Sequence, residues 1–200
     1  MTESTDSTDP FGTDARPELK KALDLVGRTL AGVRADQYGD ATPCPEYDVR
    51  TLSSHLVSVL RRVSALGSGG DFFSVPHIAE DVPDGGWVRA WDDAVRDAVA
   101  VWSDDALLKK EFKMPWGAQS GSATVASYIS EFILHTWDLA KATGQQPGWD
   151  QAVVAGLVAT MHEDAPAQPR GNPVPFGPVV EVPDDASDID KLAGWFGRKP

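Results

Sequence analysis

One helical stretch in the second half of the chain places a carboxylate and an imidazole on a face that is otherwise apolar. In a helix, Glu131 and His135 lie four residues apart and therefore on the same side. Tyr128, Phe132 and Leu139 flank the pair, so both polar groups are predicted to point into the core. A buried carboxylate is costly unless it is paired, hydrogen-bonded or bound to a metal. The fold must therefore supply a partner for Glu131.

A second helix offers such a partner. His55 lies within an inward apolar stripe, formed by Leu52, Leu56, Val59 and Val63. Two histidines and one carboxylate are a recognised ligand set for zinc and other divalent metals, and three protein ligands leave coordination positions open for catalysis. A simpler interpretation stays open from spacing alone. Glu131 and His135 would then be an ordinary i,i+4 pair on a partly solvated face, and His55 a hydrogen-bonded core histidine.

Hydrophobic periodicity predicts an all-α fold. The predicted helices run from Pro17 to before Gly39, Val49 to Leu66, Trp87 to Trp102, Ser122 or Thr124 to Gly144, Asp150 to Glu163, and Ser187 to Phe196. Pro43 and Pro45 fix a rigid turn before the second helix, and Asp48 is its predicted N-cap. Residues 67–86 form a long connection, which predicts a crossover or a lid over a site. Residues 107–121 are predicted to be irregular and partly extended.

The length of 200 residues suits one domain. Residues 1–13 are polar with almost nothing to bury, and we predict a disordered leader there. Residues 14–200 are then a single domain. Its C-terminal segment, 164–200, is rich in proline and is predicted to lie across the helices.

The formal net charge of −12 repels phosphate backbones and anionic lipid surfaces, so neither a nucleic acid nor a membrane is an expected partner. Cys44 is the one cysteine, which excludes an internal disulfide framework. No N-terminal apolar run resembles a signal peptide, and no apolar segment reaches the length needed to span a bilayer. These features predict a cytoplasmic protein. The oligomeric state is left open, a homodimer included.

Several motifs agree in order with one known family. Residues 42–50 read Thr-Pro-Cys-Pro-Glu-Tyr-Asp-Val-Arg and are followed by Leu52 and His55; residues 131–145 then carry Glu-x-x-x-His-x-Trp-Asp-Leu-Ala-x-Ala-Thr-Gly-Gln. Phe176 to Pro183 and Leu192 to Gly197 extend the similarity over nearly the whole chain. The sequence resembles the DinB-like metal-binding proteins of actinobacterial type, which are related to the N-terminal domain of mycothiol-dependent maleylpyruvate isomerase.

The resemblance implies a DinB/YfiT-like four-helix bundle with long crossover loops. It also implies one divalent metal at His55, Glu131 and His135, with zinc as the first choice and nickel, iron or manganese as alternatives. Members of known activity are thiol-dependent transferases or isomerases, so mycothiol and an electrophilic small molecule are the expected partners. The chain ends at Pro200, and we expect no separate C-terminal domain like that of the isomerase. Maleylpyruvate is therefore not the predicted substrate.

Three further residues are candidates around this site. Asp138 is predicted to hydrogen-bond a metal-bound imidazole. His77 is either an acid–base group, a fourth ligand or a surface histidine, and Cys44 is either a reactive thiol or a buried filler. The rival functions are a non-enzymatic metal- or ligand-binding bundle, with the fourth position closed by His77 or Cys44, and metal-assisted hydrolysis with water as the nucleophile.

Overall fold

The structure, a computed structural model, describes residues 10–114, 117–165, 167–168, 170 and 176–200. Within these ranges the chain is mostly helical. Its seven α-helices are α1 (Arg16–Ala31), α2 (Val49–Gly67), α3 (Trp87–Trp102), α4 (Asp105–Lys109), α5 (Gly121–Thr143), α6 (Gln151–Asp164) and α7 (Asp188–Trp195). Two short strands, β1 (Glu111–Met114) and β2 (Gly117–Ser120), lie between α4 and α5.

Four of the long helices share the core. α1 and α2 each pack against both α3 and α5. Two indole N–H groups tie the helices together, because Trp91 donates to the Leu23 carbonyl at 3.1 Å and Trp102 donates to the Val63 carbonyl at 3.0 Å. None of the described helices combines the length and the apolar run that a bilayer crossing needs.

Helix α5 runs through the centre of this arrangement and is buried over most of its length. Its N-cap is Ser120, whose side chain accepts from the Ala123 N–H at 3.2 Å. It ends at Gly144, which adopts φ +70° as the left-handed C-cap that glycine tolerates. The predicted stop at Gly144 is confirmed, and the helix begins slightly earlier than predicted.

The hairpin of β1 and β2 is the exception to the predicted all-α fold. The strands pair antiparallel, with Phe112 opposite Gln119. Phe112 and Met114 are buried, whereas the alternate residues Glu111 and Lys113 face solvent. Strands of four residues carry too little alternation to be recognised in the sequence, so only partly extended structure was predicted there.

Helix α1 ends at Ala31, well before the predicted limit at Gly39, and a 3₁₀ turn follows at Ala35–Gln37. The Gln37 side chain donates to the Thr143 carbonyl at 3.0 Å and fixes this turn against the end of α5. Of the predicted leader, residues 1–9 lie outside the described residues, while Phe11 packs against the core beside Gly156.

The last residues of the chain dock on α5 and α6. Helix α7 packs against both helices and buries Ile189 and Leu192. The Trp137 indole on α5 donates to the Asp190 carboxylate at 3.2 Å, which anchors α7. Part of the proline-rich segment, residues 166, 169 and 171–175, lies outside the described residues. This docking brings Arg198 to the side of α5 that carries the polar residues.

Candidate metal centre

Helices α2 and α5 bring the three predicted ligands together. The Nε2 atoms of His55 and His135 lie 3.3 Å and 3.4 Å from the same oxygen of Glu131, Oε1. The two imidazoles are buried, with 5% and 8% of their side chains exposed, whereas the Glu131 side chain is 33% exposed. One side of the cluster is therefore open to incoming molecules.

In both histidines, the hydrogen bond of Nδ1 determines the tautomer, and Nε2 is the nitrogen that faces Glu131. His55 Nδ1 lies 3.1 Å from the His77 carbonyl, which can only accept, so Nδ1 carries the proton. His135 Nδ1 lies 3.0 Å from the Asp138 carboxylate, which sets the same tautomer. Two lone pairs and a carboxylate oxygen then converge. Such an arrangement is unfavourable unless a proton or a cation lies between them, so these residues fit a divalent metal.

Asp138 connects His135 to the C-terminal end of the chain. Besides His135, it accepts from Nε of Arg198 at 3.2 Å and from Nη2 at 2.9 Å. The Asp138 side chain is fully buried and that of Arg198 is 9% exposed. The predicted hydrogen bond between the His135 imidazole and Asp138 is present, with Nδ1–H donating to the carboxylate. Arg198 was not identified from the sequence, because no spacing relates it to residues sixty positions earlier.

The charges around His135 oppose the effect of its burial. Burial alone would lower the pKa of His135, but Glu131 and Asp138 outweigh it and raise the pKa to about 9. Burial would likewise raise the pKa of Glu131, but His135 and His55 hold it well below the usual range of a carboxyl group. The metal-free site at neutral pH is therefore an ionised carboxylate beside a protonated His135.

This charge state predicts that metal binding releases a proton. A metal must displace the proton of His135, whose pKa of about 9 is raised, so affinity is expected to rise with pH below that value and to level off above it. One displaced proton corresponds to about tenfold in affinity per pH unit. Competition of the protein with a chelator for zinc, between about pH 7 and pH 10, measures this slope. An affinity independent of pH over that range would contradict the assigned charge state.

The connection between α2 and α3 is bound along α2. Four side chains of α2 donate hydrogen bonds to backbone carbonyls of residues 75–79 in this connection: Ser54 to Ala79, His55 to His77, Ser58 to Pro76 and Arg62 to Val75. The salt bridge between Arg61 and Asp81, at 2.7 Å, adds to this attachment. The connection predicted as a crossover or lid is thus fixed beside the cluster.

His77 is part of the wall of the site. Its ring lies 4.4 Å from that of His55, centroid to centroid, and its Nε2 hydrogen-bonds the Tyr47 hydroxyl. Arg62 Nη1 lies 3.2 Å from Nδ1 of the same ring. Burial, together with His55 and Arg62, lowers the pKa of His77. The ring does not join the three ligand atoms within the described part of the chain.

Tyr47 was also missed as a site residue. Its ring stacks on His55, with centroids 4.8 Å apart and planes 29° apart. The turn of residues 42–48 carries it there, held by the Thr42 hydroxyl on the Tyr47 carbonyl at 2.7 Å. Its position directly before the N-cap Asp48 was the available signal, because a residue there lies beside the first turn of α2.

Cys44 lies on the other side of His135. It is buried, and its sulfur and the ligand atoms of His135 and Asp138 all lie within 4.8 Å of one another. Burial raises the pKa of the thiol above its usual value. Among the described residues, Cys44 is therefore close to His135 and Asp138 but is not part of the convergence of His55, Glu131 and His135.

Comparison with known proteins places these features in a family. The model of the mycothiol maleylpyruvate isomerase N-terminal domain matches residues 19–140, which include all three converging side chains. Two curated relatives from strains of Mycobacterium tuberculosis, the uncharacterized proteins MT0763 and Rv0738, are each 30% identical over 179 residues, covering 90% of this chain and 94% of the relative. No solved structure matches the chain. Because the family model spans more than half of the sequence, the chain belongs to the mycothiol maleylpyruvate isomerase N-terminal domain family.

Proposed function

We propose that this protein binds one divalent metal through His55, Glu131 and His135 and acts as a mycothiol-dependent S-transferase or isomerase. The observation that carries the proposal is the convergence of two imidazole Nε2 atoms on one carboxylate oxygen. Family membership supports mycothiol as the thiol. Zinc suits this ligand set best, with nickel, iron and manganese as alternatives.

The chain's own residues have three tasks in this proposal. The His77 carbonyl and the Asp138 carboxylate orient the two imidazoles. The exposed side of Glu131 admits the thiol and then the electrophile. A divalent cation held there would favour thiolate over thiol and so supply a strong nucleophile at neutral pH. The thiol would lose its proton to solvent, and its sulfur would then add to an electrophilic carbon whose multiple bond opens and takes up a proton.

The proposal includes a fold and a location. The mutual packing of α1, α2, α3 and α5 supports a four-helix bundle of the DinB type. The cytoplasm suits the proposed reaction, because low-molecular-weight thiols are kept reduced there.

The rival function is a metal-binding bundle without catalysis. The closeness of Cys44 to His135 favours it, because a sulfur that moved onto the metal would close the open position. Metal-assisted hydrolysis would use the same three side chains with water as the nucleophile. Binding of an added thiol to the metal would distinguish the proposed function from both alternatives.

Titration of the cobalt-loaded protein with mycothiol tests the proposal. We expect a new sulfur-to-metal charge-transfer band that saturates with mycothiol and is weaker or absent with glutathione and bacillithiol, because the family is tied to mycothiol. The control variant His162→Ala is expected to give the same band as the wild type, since His162 packs against Trp195 away from the three ligand residues. No spectral change with any of the three thiols would refute thiol-dependent chemistry.

A further inference from the structure

A hydrogen-bond chain with a fixed direction lies beside the triad of His55, Glu131 and His135. It runs through the side chains of Arg62, His77 and Tyr47. Arginine can only donate, so the contact of 3.2 Å from Arg62 Nη1 makes His77 Nδ1 an acceptor. A histidine that accepts at Nδ1 carries its proton on Nε2. Nε2 therefore donates to the Tyr47 oxygen, which is its partner in the structure. The hydroxyl proton of Tyr47 is left free to donate to something else.

The position of Tyr47 limits what that acceptor is. Its ring covers His55 and lies 6.1 Å from the His135 ring, centroid to centroid. The hydroxyl therefore lies beside these two histidines and next to His77 of the connection between α2 and α3. Besides solvent, an acceptor bound at the triad is a group that this proton can reach.

A second hydroxyl nearby has no hydrogen-bond partner among the described residues. Tyr128 lies one turn before Glu131 on α5, and only 5% of the residue is exposed. Positions three and seven residues apart share a helix face, so Tyr128 lies on the face of α5 that carries Glu131 and His135. Burial raises the pKa of this hydroxyl, Glu131 raises it further and Arg62 opposes the rise. An unpartnered buried hydroxyl is costly. A ligand that accepts a hydrogen bond would remove that cost.

We propose that the Tyr47 and Tyr128 hydroxyls donate hydrogen bonds to an anionic ligand held at the triad of His55, Glu131 and His135. The inference rests on the metal site of the proposed function, and it adds two hydrogen-bond donors to that site. Two donors with Arg62 nearby favour a thiolate or another small anion over a neutral molecule. Tyr47 acts as a donor in this arrangement, because His77 already supplies a proton to its oxygen.

The test uses azide as a small anionic probe on the cobalt-loaded, full-length protein. The variants Tyr47→Phe and Tyr128→Phe remove one hydroxyl each and keep the ring, so the stacking on His55 remains. Loss of a hydrogen bond to a charged group should raise the azide dissociation constant by about tenfold in each variant. The visible spectrum of cobalt reports the binding, and metal content is expected to equal that of the wild type.

Tyr38→Phe is the matched control, since Tyr38 is the remaining one of the three tyrosines and packs against Trp87. Its azide constant is expected to be unchanged. An unchanged constant in either Tyr47→Phe or Tyr128→Phe would overturn the two-donor site, as would a wild-type protein that binds no azide. If azide behaves as expected but mycothiol gives no charge-transfer band, the donor site stands and the proposed thiol chemistry fails.

Discussion

Replacing His135 with alanine is expected to leave the purified protein without stoichiometric divalent metal. The imidazole supplies one of three converging ligand atoms, and its removal leaves one histidine and one carboxylate. Two ligands of this kind do not hold a divalent cation through dialysis, since three are the usual minimum in open sites. Elemental analysis of the dialysed protein measures the loss.

The fold itself is expected to tolerate this change, because Asp138 keeps its ion pair with Arg198. The control His162→Ala also removes a histidine, but one whose ring lies against Trp195 at 4.0 Å. It should retain the wild-type metal content. Retention of that content by His135→Ala would show that the metal lies elsewhere, and the proposed ligand set would be abandoned.

Replacing Arg198 with methionine is expected to destabilise the protein and to weaken the metal site together. Asp138 is fully buried and would lose the cation that donates to both of its oxygens. Removing one partner of such a buried pair costs about 3 kcal/mol in the free energy of unfolding. His135 would lose a firmly held orienting partner, and we expect about a tenfold loss of metal affinity.

Denaturant unfolding and zinc competition measure the two effects. Arg50→Met is the control, because Arg50 makes a similar two-point pair with Asp84 on the surface. Solvent screens that pair, so its loss should change neither quantity appreciably. If Arg198→Met behaved like Arg50→Met, the C-terminal end would have no role in positioning His135.

The sequence was most informative where a polar residue interrupts an apolar periodicity. His55, Glu131 and His135 were identified because each lies on an inward helix face, and the structure brings these three together. Helices α2, α3 and α5 were predicted to within a few residues for the same reason, since their stripes are long and their caps, Asp48 and Gly144, are chemically distinctive. Patterns of this kind can be recognised in the sequence because each depends on a single helix and not on contacts with the rest of the chain.

The residues that were missed depend on contacts between distant parts of the chain. Arg198 meets Asp138 only after α7 docks, and Tyr47 meets His77 only after the connection between α2 and α3 is bound along α2. No periodicity encodes such contacts. The hairpin was missed as a pair of strands for a different reason, because its strands are only four residues long.

X-ray absorption at the zinc edge tests the central claim most directly. The zinc-loaded protein is expected to show only nitrogen and oxygen ligands, from His55, His135 and Glu131 together with solvent. Addition of mycothiol should then introduce one sulfur at about 2.3 Å from zinc. A sulfur present before any thiol is added would mean that Cys44 closes the site, and a first shell unchanged by mycothiol would contradict thiol binding at the metal.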